Sequence, residues 1–250
     1  MKVVGLITEY NPFHNGHLHH IEEAKRITGA DTVIVVMSGD YVQRGVPAIM
    51  PKRLRAEMAL KCGASAIFEL PVCYSTGSAE YFALGAVSLL DSLGIVDYLC
   101  FGSESNDLDA LSHVADILSH EPHDYRTLLK SNLKKGSSFP SARQDAVLEY
   151  TKNPAYASLL DDPNNILGIE YLKALKKLRS PMIPFTIRRK GAHYHDKTLD
   201  AGRFSSASAI RSLLAYSGSA ISTDHLGGSF EDTTFSSILG ELEEQVPFSC

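Results

Sequence analysis

What most constrains this chain is an order that repeats: an apolar run, a polar turn, then apolar residues at helical spacing. The opening run Val3-Val4-Gly5-Leu6-Ile7 passes through Glu9-Tyr10-Asn11-Pro12-Phe13 into a segment that begins His14-Asn15-Gly16-His17, and the cycle then recurs. Apolar runs predict strands over 2–8, 32–38, 64–70 and 96–101, and helical periodicity predicts helices over 17–28, 51–62 and 78–93. Thr32-Val33-Ile34-Val35-Val36-Met37-Ser38 lacks polar alternation, as a strand covered on both faces does. Successive βα units imply an α/β fold, an open parallel sheet with right-handed crossovers.

From about 106 to 160 the chain changes to helical segments with polar breaks such as Lys134-Lys135-Gly136-Ser137-Ser138, which we read as a helical insertion in a domain spanning 1–217. Asp161-Asp162-Pro163-Asn164-Asn165 then caps a helix to about 177, Ile183 to Arg188 gives a strand able to rejoin the sheet, and Ser205 to Arg211 opens another helix. Residues 218–250, rich in Ser, Gly and Thr, are expected to be a loosely packed tail with at most one helix, around 235–245. With 250 residues, 44% hydrophobic and 21% charged, the chain can bury the core of one large domain. A net charge of −5 supplies no global basic field, so DNA is not an expected partner and any RNA contact needs a local patch, for which Lys134-Lys135, Lys176-Lys177-Arg179 and Arg188-Arg189-Lys190 are candidates. Cys62, Cys73, Cys100 and Cys250 show no Cys-x-x-Cys spacing, so reduced, buried thiols are expected. Neither a membrane-length apolar run nor a signal-peptide pattern is present, which predicts a cytoplasmic protein without a membrane partner.

The turn after the first strand falls where open α/β sheets bind ligands and where free helix N–H groups favour anions, so a triphosphate fits there. His14 and His17, three apart, share a helix face, and Gly16 between them lets phosphate approach the backbone. Such imidazoles can donate hydrogen bonds to the α- and β-phosphates as charge builds in an in-line displacement. A plain helix cap, or a metal site built from His14, His17, His19 and His20, are the alternatives. Four further groups sit near the ends of expected strands or at helix starts. In Ser38-Gly39-Asp40-Tyr41-Val42-Gln43-Arg44-Gly45, Asp40 can orient a small acceptor, with Gln43 beside it, and Arg44 can pair an anion. Gly102 allows close approach of a base or ribose. Asn164 and Asn165 can cap a helix or bind an adenine or ribose edge. Arg188 and Arg189 join Ser206, Ser208 and Arg211 as a site for the outer phosphates and for leaving pyrophosphate.

His14-Asn15-Gly16-His17 together with Ser206-x-Ser208-x-Ile210-Arg211 resembles the paired signatures of the HIGH-type nucleotidyltransferase superfamily, which implies its Rossmann-like sheet. Gly5 to His17, Ser38 to Gly45, Glu69-Leu70-Pro71, Phe101-Gly102-Ser103-Glu104 and Asn164-Asn165-Ile166-Leu167-Gly168, in that order, look like the bacterial tRNA(Met) cytidine acetate ligase family. That resemblance implies activation of acetate by ATP to acetyl adenylate, then transfer of the acetyl group to the wobble cytidine of elongator tRNA(Met). It implies ATP along Ile7, Thr8, Glu9, Tyr10, Asn11, Pro12, Phe13, His14, Asn15, Gly16, His17, Leu18, His19 and His20, with Gly102, one of Asn164 and Asn165, and one of Arg188 and Arg189. Asp40 is the candidate beside acetate or the acceptor. Mg²⁺ is expected to arrive with ATP, since no Asp/Glu cluster resembles a dedicated cage. Members of that family run well past 250 residues, so 218–250 is expected to be a remnant of a longer helical region. The rival readings are a small-metabolite adenylyltransferase of the pantetheine-phosphate or nicotinate-mononucleotide kind, and a non-catalytic nucleotide- or RNA-binding module.

Overall fold

Val3–Thr8, buried at every position, can only be an inner strand, because each face of it must meet apolar cover. The computed structural model describes residues 1–189, 205–219 and 245–247, without side chains for 215–219. In chain order the elements are β1 (Val3–Thr8), α1 (Asn15–Thr28), β2 (Thr32–Ser38), α2 (Lys52–Lys61), β3 (Ala66–Leu70), α3 (Val72–Ser75), α4 (Ala79–Ser92), β4 (Tyr98–Ser103), α5 (Leu108–His120), α6 (His123–Lys134), α7 (Phe139–Thr151), α8 (Pro154–Ser158), α9 (Pro163–Leu178), β5 (Ile183–Arg188) and α10 (Ala207–Ser219), with a 3₁₀ turn at Gln43–Gly45. The five strands form one parallel sheet in the order β3-β2-β1-β4-β5.

Side-chain alternation along the strands builds two cores. Val3, Ile7, Ile34, Val36, Leu99 and Phe101 face α4, α5 and α9, whereas Val4, Leu6, Val33, Val35 and Met37 face α1 and α2. Gly5 is needed for the first of these layers, since a Cβ there would lie 2.8 Å from a Leu90 methyl. After β3 the chain crosses to the other side of β1 to make β4. The connections leaving β1 and β4 therefore diverge, and a crevice opens between them.

The α/β class and the parallel sheet agree with expectation, and the differences lie at element ends. α1 starts at Asn15 rather than 17, because the His14 side chain caps it. β3 starts at Ala66 rather than 64, since the Ala64 N–H still bonds the Ala59 carbonyl of α2. β4 runs over 98–103, not 96–101: Gly102 and Ser103 pair with Ile187 and Arg188 of β5, so the strand carries its glycine into the sheet. Cys100 is the buried free thiol expected, but Cys73 is exposed on the short α3 and Cys62 is disulfide-bonded. Lys190, Cys250 and nearly all of the helix expected around 235–245 lie outside the described residues, and Gln245 itself sits in a turn. Among the described residues no helix is long and apolar enough to cross a membrane.

Candidate active site at the switch point

The turn after β1 is held by its apolar residues. Tyr10 takes a left-handed conformation (φ 49°) that a side chain rarely adopts, and its ring, 1% exposed, packs on Phe13 and His17 at centroid distances of 4.8 Å each. That packing offsets the backbone strain and aims the next residues at the crevice. Phe13 is itself fully buried and, with Pro12, Asn15 and Leu18, stays out of the crevice lining. Of the residues implied for ATP along 7–20, the rest line the crevice.

His14 and His17 form a reciprocal cap. His14 Nδ1 accepts the Gly16 N–H at 3.0 Å, and His17 Nδ1 accepts the His14 N–H at 3.3 Å, with ring centroids 3.8 Å apart. An Nδ1 that accepts carries no proton, so each neutral ring holds its proton on Nε2. Burial pushes His14 down to about 3, with Arg189 and Arg211 adding to the shift. Burial likewise drives His17 well below its ordinary value, helped by neighbouring His14, and takes His20 to about 4. Gly16 does more than admit a ligand: a Cβ there would lie 2.8 Å from Cε1 of the His14 ring.

Across the crevice, β4 and α9 supply the facing wall. Glu104 accepts the Asn165 N–H at 3.0 Å and the Asn164 side-chain amide at 2.6 Å, and Asn165 Oδ1 accepts the N–H groups of Glu104 and Ser105 at 3.1 Å each. Asn165 is thus turned inward to fasten the β4 connection, while Asn164 lines the crevice and accepts from Arg189 at 3.1 Å. The Arg189 stem lies over Gly102, where a Cβ would meet its Cγ at 3.2 Å. Arg188 also lines the crevice.

The third side comes from α10. Ser206 Oγ accepts the Ala209 N–H at 3.0 Å as a cap, and Arg211 donates to the Asn11 carbonyl at 2.6 Å and to Ser208 Oγ at 3.0 Å, so this helix start is tied to the β1 turn. Gln43 and Arg44 reach the crevice from the β2 connection, Arg44 with φ 70°. Asp40 does not reach it: the carboxylate is exposed, accepts the Lys52 N–H at 3.0 Å and anchors the start of α2. Among the described residues no group of three or more His, Cys, Asp or Glu could hold a metal ion, and the four crowded histidines do not make one.

The pairings of three residues here leave no sequence signal, although Glu9 is among those implied for ATP. Glu104 lies in a quoted motif, but its partners 60 residues on are visible only in three dimensions. Glu9 is enclosed, accepts the Gln43 N–H at 3.0 Å, and has its carboxyl raised by burial against the pull of Arg211, Arg55 and Arg44. Gln245, 4% exposed, accepts the Asn15 N–H on its carbonyl at 3.0 Å and the Ser205 N–H on its side chain at 3.0 Å.

The HIGH Nucleotidyl Transferase family matches residues 1–247. The tRNA(Met) cytidine acetate ligase of Caldanaerobacter subterraneus is 53% identical over 218 residues, 87% of this chain and 54% of that protein. The protein of the same name from Acetivibrio thermocellus is 48% identical over 243 residues, 97% of this chain and 58% of that one. Among solved structures, Thermotoga maritima TmcAL bound with alpha-thio ATP superposes with a TM-score of 0.84 at 40% identity, covering 100% of this chain and 54% of that chain. The apo form gives 0.88 at 41%. The chain thus spans about half the length of the curated relatives it matches.

Proposed function

Because the chain belongs to the HIGH nucleotidyl transferase family, we propose that its crevice binds ATP, adenylates acetate with release of pyrophosphate, and serves transfer of the acetyl group to the wobble cytidine of elongator tRNA(Met). The observation that carries this reading is the capped histidine pair. Two neutral Nε2–H donors, fixed by main-chain bonds and lining a crevice at a helix N-terminus, match a phosphorus centre that gains negative charge in the transition state. The relatives named as tRNA(Met) cytidine acetate ligases, and the neighbour that holds an ATP analogue, support the same reading.

In this reading the α-phosphate meets the α1 start and the two Nε2–H groups. Arg189, Arg188 and Arg211 flank the outer phosphates and the departing pyrophosphate, and Asn164 with Gly102 borders the nucleoside. The geometry favours Asn164 over Asn165 as the nucleotide contact, because Asn165 is engaged with Glu104 and Ser105. Acetate is already ionised, so adenylation needs positioning rather than a general base. In the second step the cytidine amine attacks the mixed anhydride and AMP leaves. Gln43 and Arg44 border the acceptor side, with Asp40 acting from outside the lining through the start of α2. Mg²⁺ travels with the triphosphate and adds to its charge neutralisation.

The test is acetate-dependent exchange of pyrophosphate into ATP, followed by incubation with ATP, labelled acetate and unmodified tRNA(Met) and mass analysis of the nucleosides. Exchange that needs acetate, together with acetylcytidine, is the expected result. Exchange stimulated instead by phosphopantetheine or a mononucleotide would move the chain to metabolite adenylyl transfer. ATP binding without exchange would make it a binding module.

A further inference from the structure

The most enclosed cation of the described residues lies outside the crevice. Arg55 of α2 is 0% exposed, and among the described residues its hydrogen bonds end on main-chain carbonyls: Nε on Met50 at 3.1 Å, Nη1 on Glu9 and on Ser38 at 3.2 Å, and Nη2 on Gly39. A buried guanidinium persists only where its donors meet acceptors, and here, with no direct carboxylate bond among the described residues, carbonyl oxygens from three chain segments meet four of its five N–H groups. Two of those segments are the connections that leave β1 and β2. Their other cross-links run the same way: Glu9 accepts the Gln43 N–H at 3.0 Å and Asn11 Oδ1 accepts the Ile49 N–H at 2.8 Å.

We propose that Arg55 is a positioning residue that sets the spacing between the nucleotide side of the crevice, after β1, and the acceptor side, after β2. The inference rests on the functional reading above for the identity of the two sides. Arg55 lines neither of them, and acts through the Glu9 and Gly39 carbonyls that it holds at a fixed separation. The planar fork matters, because a lysine ammonium is a point donor and cannot span both connections. Contacts contributed by α1, β4 and α9 do not pass through Arg55, so ATP binding should survive its loss while the meeting of acetate with the α-phosphate should not.

The full chain is compared with its Arg55→Lys and Arg55→Gln variants for melting temperature, ATP affinity by calorimetry, acetate-dependent pyrophosphate exchange and amide hydrogen exchange. The expected result is an ATP dissociation constant within about threefold of the parent, with exchange at saturating ATP reduced about tenfold or more, Arg55→Lys less than Arg55→Gln. The Gln43 and Ile49 amides should lose protection while those of Val35 and Val36 in the sheet keep theirs. An equal loss of ATP binding and exchange, collapse of both variants, or parental behaviour of Arg55→Lys would each overturn the proposal. Amide protection also judges it when the parent shows no acetate-dependent exchange, which would sink the functional reading alone.

Discussion

Two tasks fall on the same pair of rings. His14 and His17 each use Nδ1 to satisfy a main-chain N–H at the start of α1, which leaves Nε2–H as the group offered to the crevice. Substitution therefore removes a cap and a donor together, and the two losses must be separated. Asparagine is a good N-cap but carries no group at the Nε2 position, so His14→Asn is expected to keep most of the helix-start stability while exchange falls about 10²–10³-fold. His14→Ala should show a similar kinetic loss and an additional destabilisation of about 1 kcal/mol. Thermal melts beside exchange rates check both. Equal stability of the two variants would mean that the cap contributes nothing, and near-parental exchange by His14→Asn would remove the histidine from the chemistry.

At the scale of elements, much was legible because strand and helix periods differ and each strand end meets a turn residue. β2 and β5 fall where expected, since the apolar run 32–38 has no polar break and Ile183 to Arg188 is bounded by Ser-Pro and by charge. The end of β4 was not legible: Gly102 looks like a turn, yet it pairs with Ile187 of β5, and the Arg189 stem lies over the space its missing Cβ leaves. Asn164 and Asn165 could not be told apart in sequence either, since an asparagine at a helix start satisfies both roles and only Glu104, about 60 residues earlier and on the same wall of the crevice, decides between them. Glu104 thus joins β4 to α9, and a carboxylate is required because both of its oxygens accept. Glu104→Gln turns one acceptor into a donor facing a donor, at about 1.5–3 kcal/mol for the charged hydrogen bonds lost. We expect ATP affinity to fall about tenfold as Asn164 and Arg189 lose their anchor, with melting lowered by about 2–4 °C per kcal/mol. Calorimetry giving parental affinity would detach this wall from nucleotide binding.

The 250-residue chain carries a net charge of −5, so under the proposed function its own contribution to RNA affinity would be local, at Arg44, Arg188 and Arg189 of the crevice lining. Lys176 is already engaged by Asp116. Binding of tRNA(Met) should weaken on raising salt from about 50 to about 200 mM, with a slope that reports only a few phosphates, and filter binding indifferent to salt would exclude that surface. Acid should test the crevice as a unit. His14, His17 and His20 have folded pKa values below the ordinary 6.5, to about 3 for His14 and about 4 for His20. Below about pH 6.5 the unfolded chain takes up protons that the folded chain refuses, so stability is full above that pH and declines on acidification towards pH 3, by at most about 1.4 kcal/mol per pH unit per group. Glu9, raised by burial, works in the opposite sense, because its folded form gives up stability at pH values above its ordinary range. Because each Nδ1 is held by a main-chain N–H, a triphosphate meets neutral Nε2–H donors at pH 5.5 as at pH 7.5, so stabilisation by an ATP analogue should be no greater at pH 5.5 than at pH 7.5. Melting curves at the two pH values, with and without the analogue, measure this directly. A stabilisation clearly greater at pH 5.5 would mean that the rings take up protons against the phosphates and that the Nδ1 caps do not hold.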